Sequence, residues 1–252
     1  GTYEMASGEE RSVIFAESSM GKVNAAALTS HALRSFPRVE HIVMVGIAGG
    51  CPNPAKVDEH VRLGDVVTVN RLGIIEYDNI KELESTKEIR STAQKPSAKL
   101  LKVANYLASQ ERHGHRPWDS IADIAVRKLE EYRRPRASTD VLHTADRISK
   151  HPSDPERRKN RPRVHGGAIA TADTLQKNPS IRDHLRDVFG VKAIEMEGSA
   201  LQSAAWHQGK DAFVVRGICD YCDKHKNDDW QNYAALVAAS YVRALIEAMP
   251  SL

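Results

Sequence analysis

Two clusters that contain carboxylates each follow an apolar segment in the second half of the chain. The first is Glu195-Met196-Glu197, and the second ends with Cys219 and Asp220. A carboxylate at a strand end can accept hydrogen bonds from both hydroxyls of a ribose. An aspartic acid in a partly buried cleft can act as a general acid. The clusters are compatible with sugar binding and proton transfer, but an acidic helix start explains an isolated E-x-E pattern better, and a helix N-cap has the same pattern as the aspartic acid.

Two clusters of small residues follow other apolar segments. They are GIAGG at 46–50 and ATADT at 170–174. Glycines let the backbone approach a ligand closely and present N–H groups to it. The first cluster is not the G-x-G-x-x-G pattern of a dinucleotide site. A tight strand-to-helix turn or a helix cap explains each cluster equally well when it is taken alone.

The chain has three cysteines, Cys51, Cys219 and Cys222. They are too few for a disulfide framework, and their number is odd, so they indicate a reducing, intracellular compartment. Cys219-x-x-Cys222 with His225 resembles half of a zinc site. A structural zinc needs four ligands, usually as two pairs, and the sequence has no second pair. We therefore predict no metal and no other cofactor.

The composition excludes several classes of protein. With 252 residues, of which 41% are hydrophobic, the chain can form one large α/β domain with a substantial core. A net charge of +3 argues against a polycation that binds nucleic acid. No apolar run approaches the roughly 18 residues that span a bilayer, and residues 1–11 lack a signal-peptide core. We expect a cytoplasmic protein that binds neither membrane nor nucleic acid.

Short apolar runs alternate with segments of helical periodicity, which predicts an α/β fold. Strands are predicted at 12–16, 41–46, 61–70, 164–172, 192–196 and 211–219, and helices at 22–35, 97–110, 119–131, 198–207 and 230–249. The expected architecture is a single domain with a twisted, mixed but mostly parallel sheet flanked by helices. Because open α/β sheets bind ligands at the carboxyl ends of their strands, the four clusters are expected to lie together.

The segment 127–163 differs from the rest of the chain. It contains 12 Lys and Arg residues against 6 Asp and Glu residues, and it includes several prolines. One interpretation is a solvated insertion with loose structure. The other is a basic lid that attracts ligands with phosphate groups. The segment lacks the interleaved aromatic residues expected of a platform for single-stranded nucleic acid.

Six motifs together resemble the nucleoside phosphorylase superfamily, in the branch of methylthioadenosine/S-adenosylhomocysteine nucleosidases. They are ESSMGKVNAAA at 17–27, VGIAGG at 45–50, RLGDVV at 62–67, AIATAD at 168–173, AIEMEGSAL at 193–201 and VVRGICD at 214–220. With the tail at 219–235, the sequence is most similar to phosphorylase-like domains attached to signalling ATPases and to prokaryotic defence proteins. The fold implied is that of the nucleoside phosphorylases and hydrolases.

The resemblance also implies roles for individual residues. Asp220 stands where the family's acid protonates N7 of the leaving purine, and Glu197 where a carboxylate holds the 2′- and 3′-hydroxyls of the ribose. Met196 would pack on the sugar, and Ala48 and Gly49 would line the pocket. The other residues expected to contact substrate occupy the same motifs: Glu195, Thr171, Asp173, Leu175, Gln176, Arg216 and Cys219.

Three departures from the family pattern bear on the reaction. The family's first strand, which ends in a glutamate that orients the attacking water, is expected to be missing, and residues 2–5 look like the second strand. Met44 stands where phosphorolytic members place an arginine, and Ile47 replaces a hydroxyl residue that contacts phosphate or water. These changes favour hydrolysis or a domain without catalysis.

The leading hypothesis is therefore an N-glycosidase that hydrolyses a purine nucleoside or nucleotide, with adenine as the expected base and ATP among the candidate substrates. One alternative is a purine nucleoside phosphorylase that uses phosphate as the nucleophile. The other is a nucleoside-sensing module that binds without cleaving. The resemblance also implies a homo-oligomer, at least a dimer.

Overall fold

The computed structural model describes residues 1–4, 8, 10–82, 87–90, 94–144 and 147–250. These residues form helices α1 (Lys22–Ser35), α2 (Ala98–Arg112), α3 (Pro117–Val126), α4 (Pro179–Phe189), α5 (Gly198–His207) and α6 (Gln231–Glu247). Among them, no helix combines the length and the apolar character needed to cross a membrane.

The centre of the fold is a barrel of five strands. They are β3 (His41–Gly50), β4 (Val66–Glu76), β9 (Val164–Thr171), β10 (Val191–Glu195) and β11 (Asp211–Asp220), in the order β10-β3-β11-β4-β9. Three of the strand pairs are parallel and two, β10 with β3 and β11 with β4, are antiparallel. The predicted α/β fold with a mixed, mostly parallel sheet is confirmed. Its closure into a barrel was not predicted.

In the part of the chain that the structure describes, three pairs of antiparallel strands lie outside the barrel. They are β1 (Thr2–Glu4) with β2 (Glu10–Ser12), β5 (Ile80–Glu82) with β6 (Lys87–Ile89), and β7 (Leu142–Thr144) with β8 (Arg147–Ser149). The predicted strand at 12–16 is wrong: β2 ends at Ser12, and Ile14 and Phe15 are 44% and 85% exposed. Its apolar residues lie in an extended segment that lines a groove and does not join the sheet. Met5, at the end of the strand expected at 2–5, falls outside the described residues.

Helix α6 packs directly on β11, which carries one of the predicted site clusters. A Cβ atom on Gly217 would lie 1.9 Å from the carbonyl oxygen of Ala234, so only glycine permits this approach of helix and strand. The apolar face of α6 is buried, with Tyr241 and Leu245 almost inaccessible to solvent. The predicted helix at 119–131 instead spans Pro117–Val126. Pro117 occupies its first turn, where the missing N–H has no cost.

The basic segment is folded onto the barrel. Arg157 makes two hydrogen bonds of 2.7 Å to the buried carboxylate of Asp65, and Arg161 pairs with Asp123 of α3. Leu142 is 1% exposed. These contacts tie parts of the segment to the rest of the fold, whereas most of its described residues, in 127–144 and 147–163, are exposed or half-buried. At these arginines the excess charge neutralises acids of the protein itself.

A pair of histidines joins this segment to the loop before β4. The Nδ1 atom of His60 accepts a hydrogen bond from the Asn53 N–H, so the ring proton lies on Nε2, 2.9 Å from Nδ1 of His151. Burial, followed by the nearby His151 and Arg157, lowers the pKa of His60 to about 4. His60 is thus held neutral in the folded protein, whereas its ordinary pKa is 6.5.

We expect His60 to lower the free energy of unfolding in mild acid. The folded pKa lies below the unfolded one, so stability is complete above about pH 6.5 and declines as the pH falls towards 4. By pH 5 the loss from His60 is about 2 kcal/mol. The free energy of unfolding in urea, measured for the wild type and for His60→Gln at pH 7.5 and at pH 5, gives this loss of stability. A wild-type pH dependence no larger than that of the variant would contradict the prediction.

Candidate active site

Asp220 is the last residue of β11 and is 4% exposed. Its Oδ1 accepts a hydrogen bond of 2.8 Å from the Cys222 N–H, and its Oδ2 lies 2.8 Å from Nζ of Lys226. Burial alone would lower the pKa of Lys226, but the hydrogen bond and the charge of Asp220 raise it above its ordinary value. The two groups therefore form an ammonium–carboxylate pair in the unliganded protein.

Glu197 lies in the turn between β10 and α5, where two groups hold its carboxylate. Its Oε1 accepts a hydrogen bond of 3.1 Å from the Gly21 N–H at the start of α1, and its Oε2 lies 3.2 Å from the Arg216 guanidinium. Arg216 also bonds the buried Glu195 and lies 2.9 Å from Sδ of Met44. The carboxylate is thus held in place but keeps acceptor capacity, because each oxygen can accept more than one hydrogen bond.

Glu195 has a different environment from Glu197. It is 5% exposed, and its two oxygens accept bonds from the N–H groups of Glu197 and Gly198 as well as from Arg216. Most of these bonds fall on Oε2, and together they hold the turn that carries Glu197. The contact of Glu195 with substrate stays a prediction.

The glycine cluster of β3 lies against both acidic clusters. In the sheet register Gly46 is opposite Arg216, and Gly49 is opposite Asp220. A Cβ atom on Gly49 would lie 2.8 Å from Oδ1 of Asp220, and one on Gly46 would lie 2.2 Å from Nη1 of Arg216. The small residues therefore leave the space in which the acid and the arginine lie.

We expect Gly46→Ala to displace Arg216 and, with it, Glu197. Arg216 is 5% exposed and bonded to two carboxylates, so the clash cannot be relieved without loss of a contact. The expected cost is about 1–3 kcal/mol in unfolding free energy, with a fall in any nucleoside affinity. Gly166→Ala is the matched control on β9, because its Cβ would meet only Cβ of Asn70 at 3.7 Å. Equal stability of the two variants would contradict the prediction.

Glu197 and Asp220 line one cleft of about 1810 Å³. The structure brings most of the predicted site residues to this cleft: Ala48, Gly49, Leu175, Gln176, Glu195, Met196, Glu197, Arg216, Cys219 and Asp220. It does not bring Thr171 and Asp173 there. Thr171 is fully buried in the sheet beside β10, and Asp173 is exposed beside Asp78 and Lys22.

Residues 1–247 match the sequence model of the phosphorylase superfamily. The chain belongs to this superfamily. The resemblance drawn from the six motifs is thereby confirmed.

Solved structures share the fold of this phosphorylase-superfamily chain. A 5′-methylthioadenosine/S-adenosylhomocysteine nucleosidase from Helicobacter pylori, in complex with butyl-thio-DADMe-Immucillin-A, aligns with a TM-score of 0.62 and 17% identity over 95% of this chain and 81% of that one. The Neisseria meningitidis nucleosidase with methylthio-immucillin-A gives 0.60 and 18%, over 92% and 79%. A futalosine hydrolase mutant of H. pylori gives 0.59 and 17%, over 91% and 78%.

A curated relative is a nucleotide-binding leucine-rich repeat (NLR)-like protein from Hyaloscypha variabilis. The identity is 28% over 226 residues, which cover 84% of this chain. This phosphorylase-superfamily chain spans only 22% of that relative's length.

Sequence reasoning missed two contacts of the superfamily site. The first is the ion pair of Lys226 with Asp220. The second is the hydrogen bond that the Gly21 N–H donates to Glu197. The backbone φ of Gly21 is 103°, a value that favours glycine. The glycine just before the helix is therefore the sign of this contact that the sequence contains.

The cysteines beside Asp220 are buried thiols. Cys219 and Cys222 are 3% and 2% exposed, and burial raises the pKa of each thiol well above its ordinary value. Sγ of Cys219 lies 3.5 Å from the Ala48 carbonyl oxygen and 3.4 Å from Oδ2 of Asp220, and its single S–H donates a weak hydrogen bond to one of the two. Among the described residues, no group of three or more His, Cys, Asp or Glu side chains has an arrangement that could hold a metal ion. The thiols therefore contribute to the wall of the cleft.

Proposed function

We propose that the chain is an N-glycosidase that hydrolyses the bond between ribose and a purine, with adenine as the base. The observation that carries the proposal is that Glu197 and Asp220 line one cleft together with Met196 and the 174–176 loop. A nucleoside placed between the two carboxyl groups would meet an acceptor at its sugar and an acid at its base. Membership of the phosphorylase superfamily supports the same assignment.

The chemistry follows from the charges of the two groups. Cleavage of the glycosidic bond builds positive charge on the sugar and negative charge on the departing purine. The anionic Glu197, held by Arg216 and Gly21, would accept hydrogen bonds from the ribose hydroxyls and stabilise the positive charge. Asp220 and Lys226 together hold a proton that can pass to N7 as the base departs.

Water is the proposed nucleophile. Met44 and Ile47 line the cleft where the family's phosphorolytic members are expected to present an arginine and a hydroxyl. These apolar side chains offer no counter-charge for phosphate. Water adds at C1′, the C1′–N9 bond breaks, and the products are ribose, or its 5′-substituted form, and the free base.

Nucleotides, ATP included, belong to the proposed substrate class. The curated relative is described as nucleotide-binding. Arg157 and Arg161 of the basic segment are paired with Asp65 and Asp123, so they do not support a phosphate-binding lid.

Product analysis distinguishes the proposed reactions. The protein is incubated with adenosine, methylthioadenosine, AMP and ATP, with and without inorganic phosphate, and the products are separated by chromatography. Free adenine and free sugar without phosphate support hydrolysis. Sugar 1-phosphate formed only with added phosphate would establish phosphorolysis instead. No adenine from any of the four compounds would overturn the proposal of an enzyme.

A nucleoside-sensing module is the second candidate, favoured by the pairing of Asp220 with Lys226. Nζ of Lys226 lies 2.8 Å from Oδ2 of Asp220, so a cation of the protein itself already engages the carboxyl group assigned as the acid. The NLR-like relative is compatible with a signalling context. Calorimetric binding of adenosine or ATP with no turnover over hours would favour this candidate. Turnover that disappears in Asp220→Asn would exclude it.

We also propose that the chain forms a homo-oligomer. The segment that precedes α1 and the first turn of α1 expose Phe15, Met20 and Val23 by 85%, 72% and 81%. Apolar residues grouped on a surface favour a protein contact. Light scattering with size-exclusion chromatography tests this inference, and a monomer at high micromolar concentration would contradict it.

A further inference from the structure

Tyr221, which directly follows the proposed acid, is fixed at both ends. It is 3% exposed. Its hydroxyl donates a hydrogen bond of 2.6 Å to Oδ1 of Asp140 and accepts one of 3.2 Å from the Leu63 N–H. Its backbone carbonyl accepts a bond of 2.6 Å from Arg182 of α4. This residue is therefore held by three separate parts of the fold.

Asp140 connects Tyr221 to the basic segment, of which it is a member. Its side chain is inaccessible to solvent, and Oδ2 accepts a bond of 2.8 Å from Nε of Arg62. His151, from the same segment, lies 3.3 Å from Oδ1. Burial alone would raise the pKa of Asp140, but the hydrogen bonds from His151 and Tyr221 and the charge of Arg62 bring it below its ordinary value. The group that receives the Tyr221 hydroxyl is thus a buried, satisfied carboxylate.

The turn after β11 sets the direction of the Asp220 carboxyl. Cys222 has a φ of 52°, a strained value for a residue other than glycine, and its N–H donates to Oδ1 of Asp220. Such a conformation persists only where its surroundings hold it. Tyr221 lies between these two residues, so the bonds to Tyr221 restrain the same turn.

A second connection restrains the strand that leads to this turn. The Ile218 N–H donates to the carbonyl of Asp65, and the Asp65 carboxylate is held by Arg157 and by the Arg163 N–H. The basic segment is therefore connected to the Asp220 end of β11 by two routes. One is the hydrogen bond between Tyr221 and Asp140. The other passes from Arg157 and Arg163 through Asp65 to Ile218.

We propose that the 127–163 segment positions the acid of this site, with Asp140 and Tyr221 as positioning residues that act through the 220–222 turn. The expected effect on catalysis rests on the proposed function. The expected effect on the 220–222 turn does not depend on it. The segment would then hold Asp220 in position without contacting the substrate itself. The proposal does not require substrate contact from any of the residues that carry it: Asp140, Tyr221, Arg62 and His151.

The structural consequence is tested with the buried Cys222 thiol as a reporter. The variants are Tyr221→Phe, which removes the hydroxyl and keeps the ring, and Asp140→Ala. Asp123→Ala is the control, because it removes a carboxylate that also pairs with the basic segment, at Arg161, on the exposed side of α3. Labelling by a disulfide reagent is followed by mass spectrometry of the Cys222 peptide under native conditions. Circular dichroism establishes that each variant is folded.

We expect labelling of Cys222 to accelerate at least about tenfold in Tyr221→Phe and in Asp140→Ala, because a buried hydrogen bond that restrains local opening is lost. The rate in Asp123→Ala should match the wild type. Unchanged labelling in folded Tyr221→Phe would overturn the proposal whether or not the protein cleaves nucleosides. If Tyr221→Phe fails to fold, the Asp140→Ala rate decides in the same way.

The catalytic consequence is tested with a double-mutant comparison on the substrate identified by product analysis. Tyr221→Phe should lower kcat by about tenfold with little change in KM, and it should add nothing in an Asp220→Asn background. A full additional loss in that background would overturn action through Asp220. Absence of turnover in the wild type would count against the proposed function alone, and the thiol measurement would still decide the positioning role.

Discussion

Replacing Asp220 with asparagine is expected to lower the rate of adenine release by about 10²–10⁴-fold, the range that general acid catalysis contributes. Asparagine keeps the size of the side chain and can still accept the Cys222 N–H, so the turn should survive. It cannot carry a proton to N7 or form an ion pair with Lys226. The loss should therefore fall on kcat, with KM changed little.

The measurement is steady-state adenine release on the best substrate, with Asp211→Asn as the control. Asp211 is the first residue of the same strand and is exposed, so the substitution removes a carboxylate at the opposite end of β11. A loss of threefold or less in Asp220→Asn would remove Asp220 as the acid. A similar loss in both variants would show that the effect belongs to the strand and not to the site.

Glu197→Gln is expected to reduce kcat/KM by about 10²-fold. The change removes a charge that stabilises the positive sugar and weakens charge-assisted hydrogen bonds to its hydroxyls, which contribute roughly 1.5–3 kcal/mol each. The amide oxygen can accept from only one of the two donors, the Gly21 N–H or Arg216, so the variant loses one of these contacts. The bonds of Glu195 to the N–H groups of Glu197 and Gly198 should still hold the turn between β10 and α5. Glu40→Gln, at an exposed glutamate before β3, is the control.

A second substrate distinguishes sugar binding from a general effect of charge. The wild type should cleave 2′-deoxyadenosine less efficiently than adenosine, whereas Glu197→Gln should discriminate much less between them, because the group that detects the hydroxyl is gone. Undiminished discrimination in the variant would show that the ribose hydroxyls are recognised elsewhere.

The elements that position the site could be predicted because their signals are local. Helices at 22–35 and 198–207 were predicted with the observed bounds, since Gly21 and the Glu195–Gly198 turn mark where each begins. Apolar runs located β3, β9, β10 and β11. The order of polar clusters after those runs placed Glu197 and Asp220 at strand ends, where the sheet brings them to one cleft.

The remaining features depend on contacts between residues far apart in the sequence. Closure of the barrel rests on a short pairing of β10 with Gly49 and Gly50, which has no local pattern. From its charge, the basic segment was expected either to face solvent or to bind phosphate. Its actual partners could not be predicted, because residues such as Asp65 lie about a hundred positions away in the sequence. The run at 12–16 has the composition of a buried strand, but in the described residues its backbone pairing ends at Val13, which exchanges two hydrogen bonds with Gly1.

The central claim is that one nucleoside binds across the cleft with its sugar at Glu197 and its base at Asp220. A crystal structure with formycin A, an adenosine analogue whose carbon–carbon glycosidic bond resists cleavage, tests it most directly. The ribose hydroxyls should lie within about 3.2 Å of the Glu197 carboxylate, and the N–H of the base should lie at a similar distance from the Asp220 carboxylate. A ligand bound with its sugar away from Glu197, or a cleft that stays empty at saturating ligand, would contradict the account.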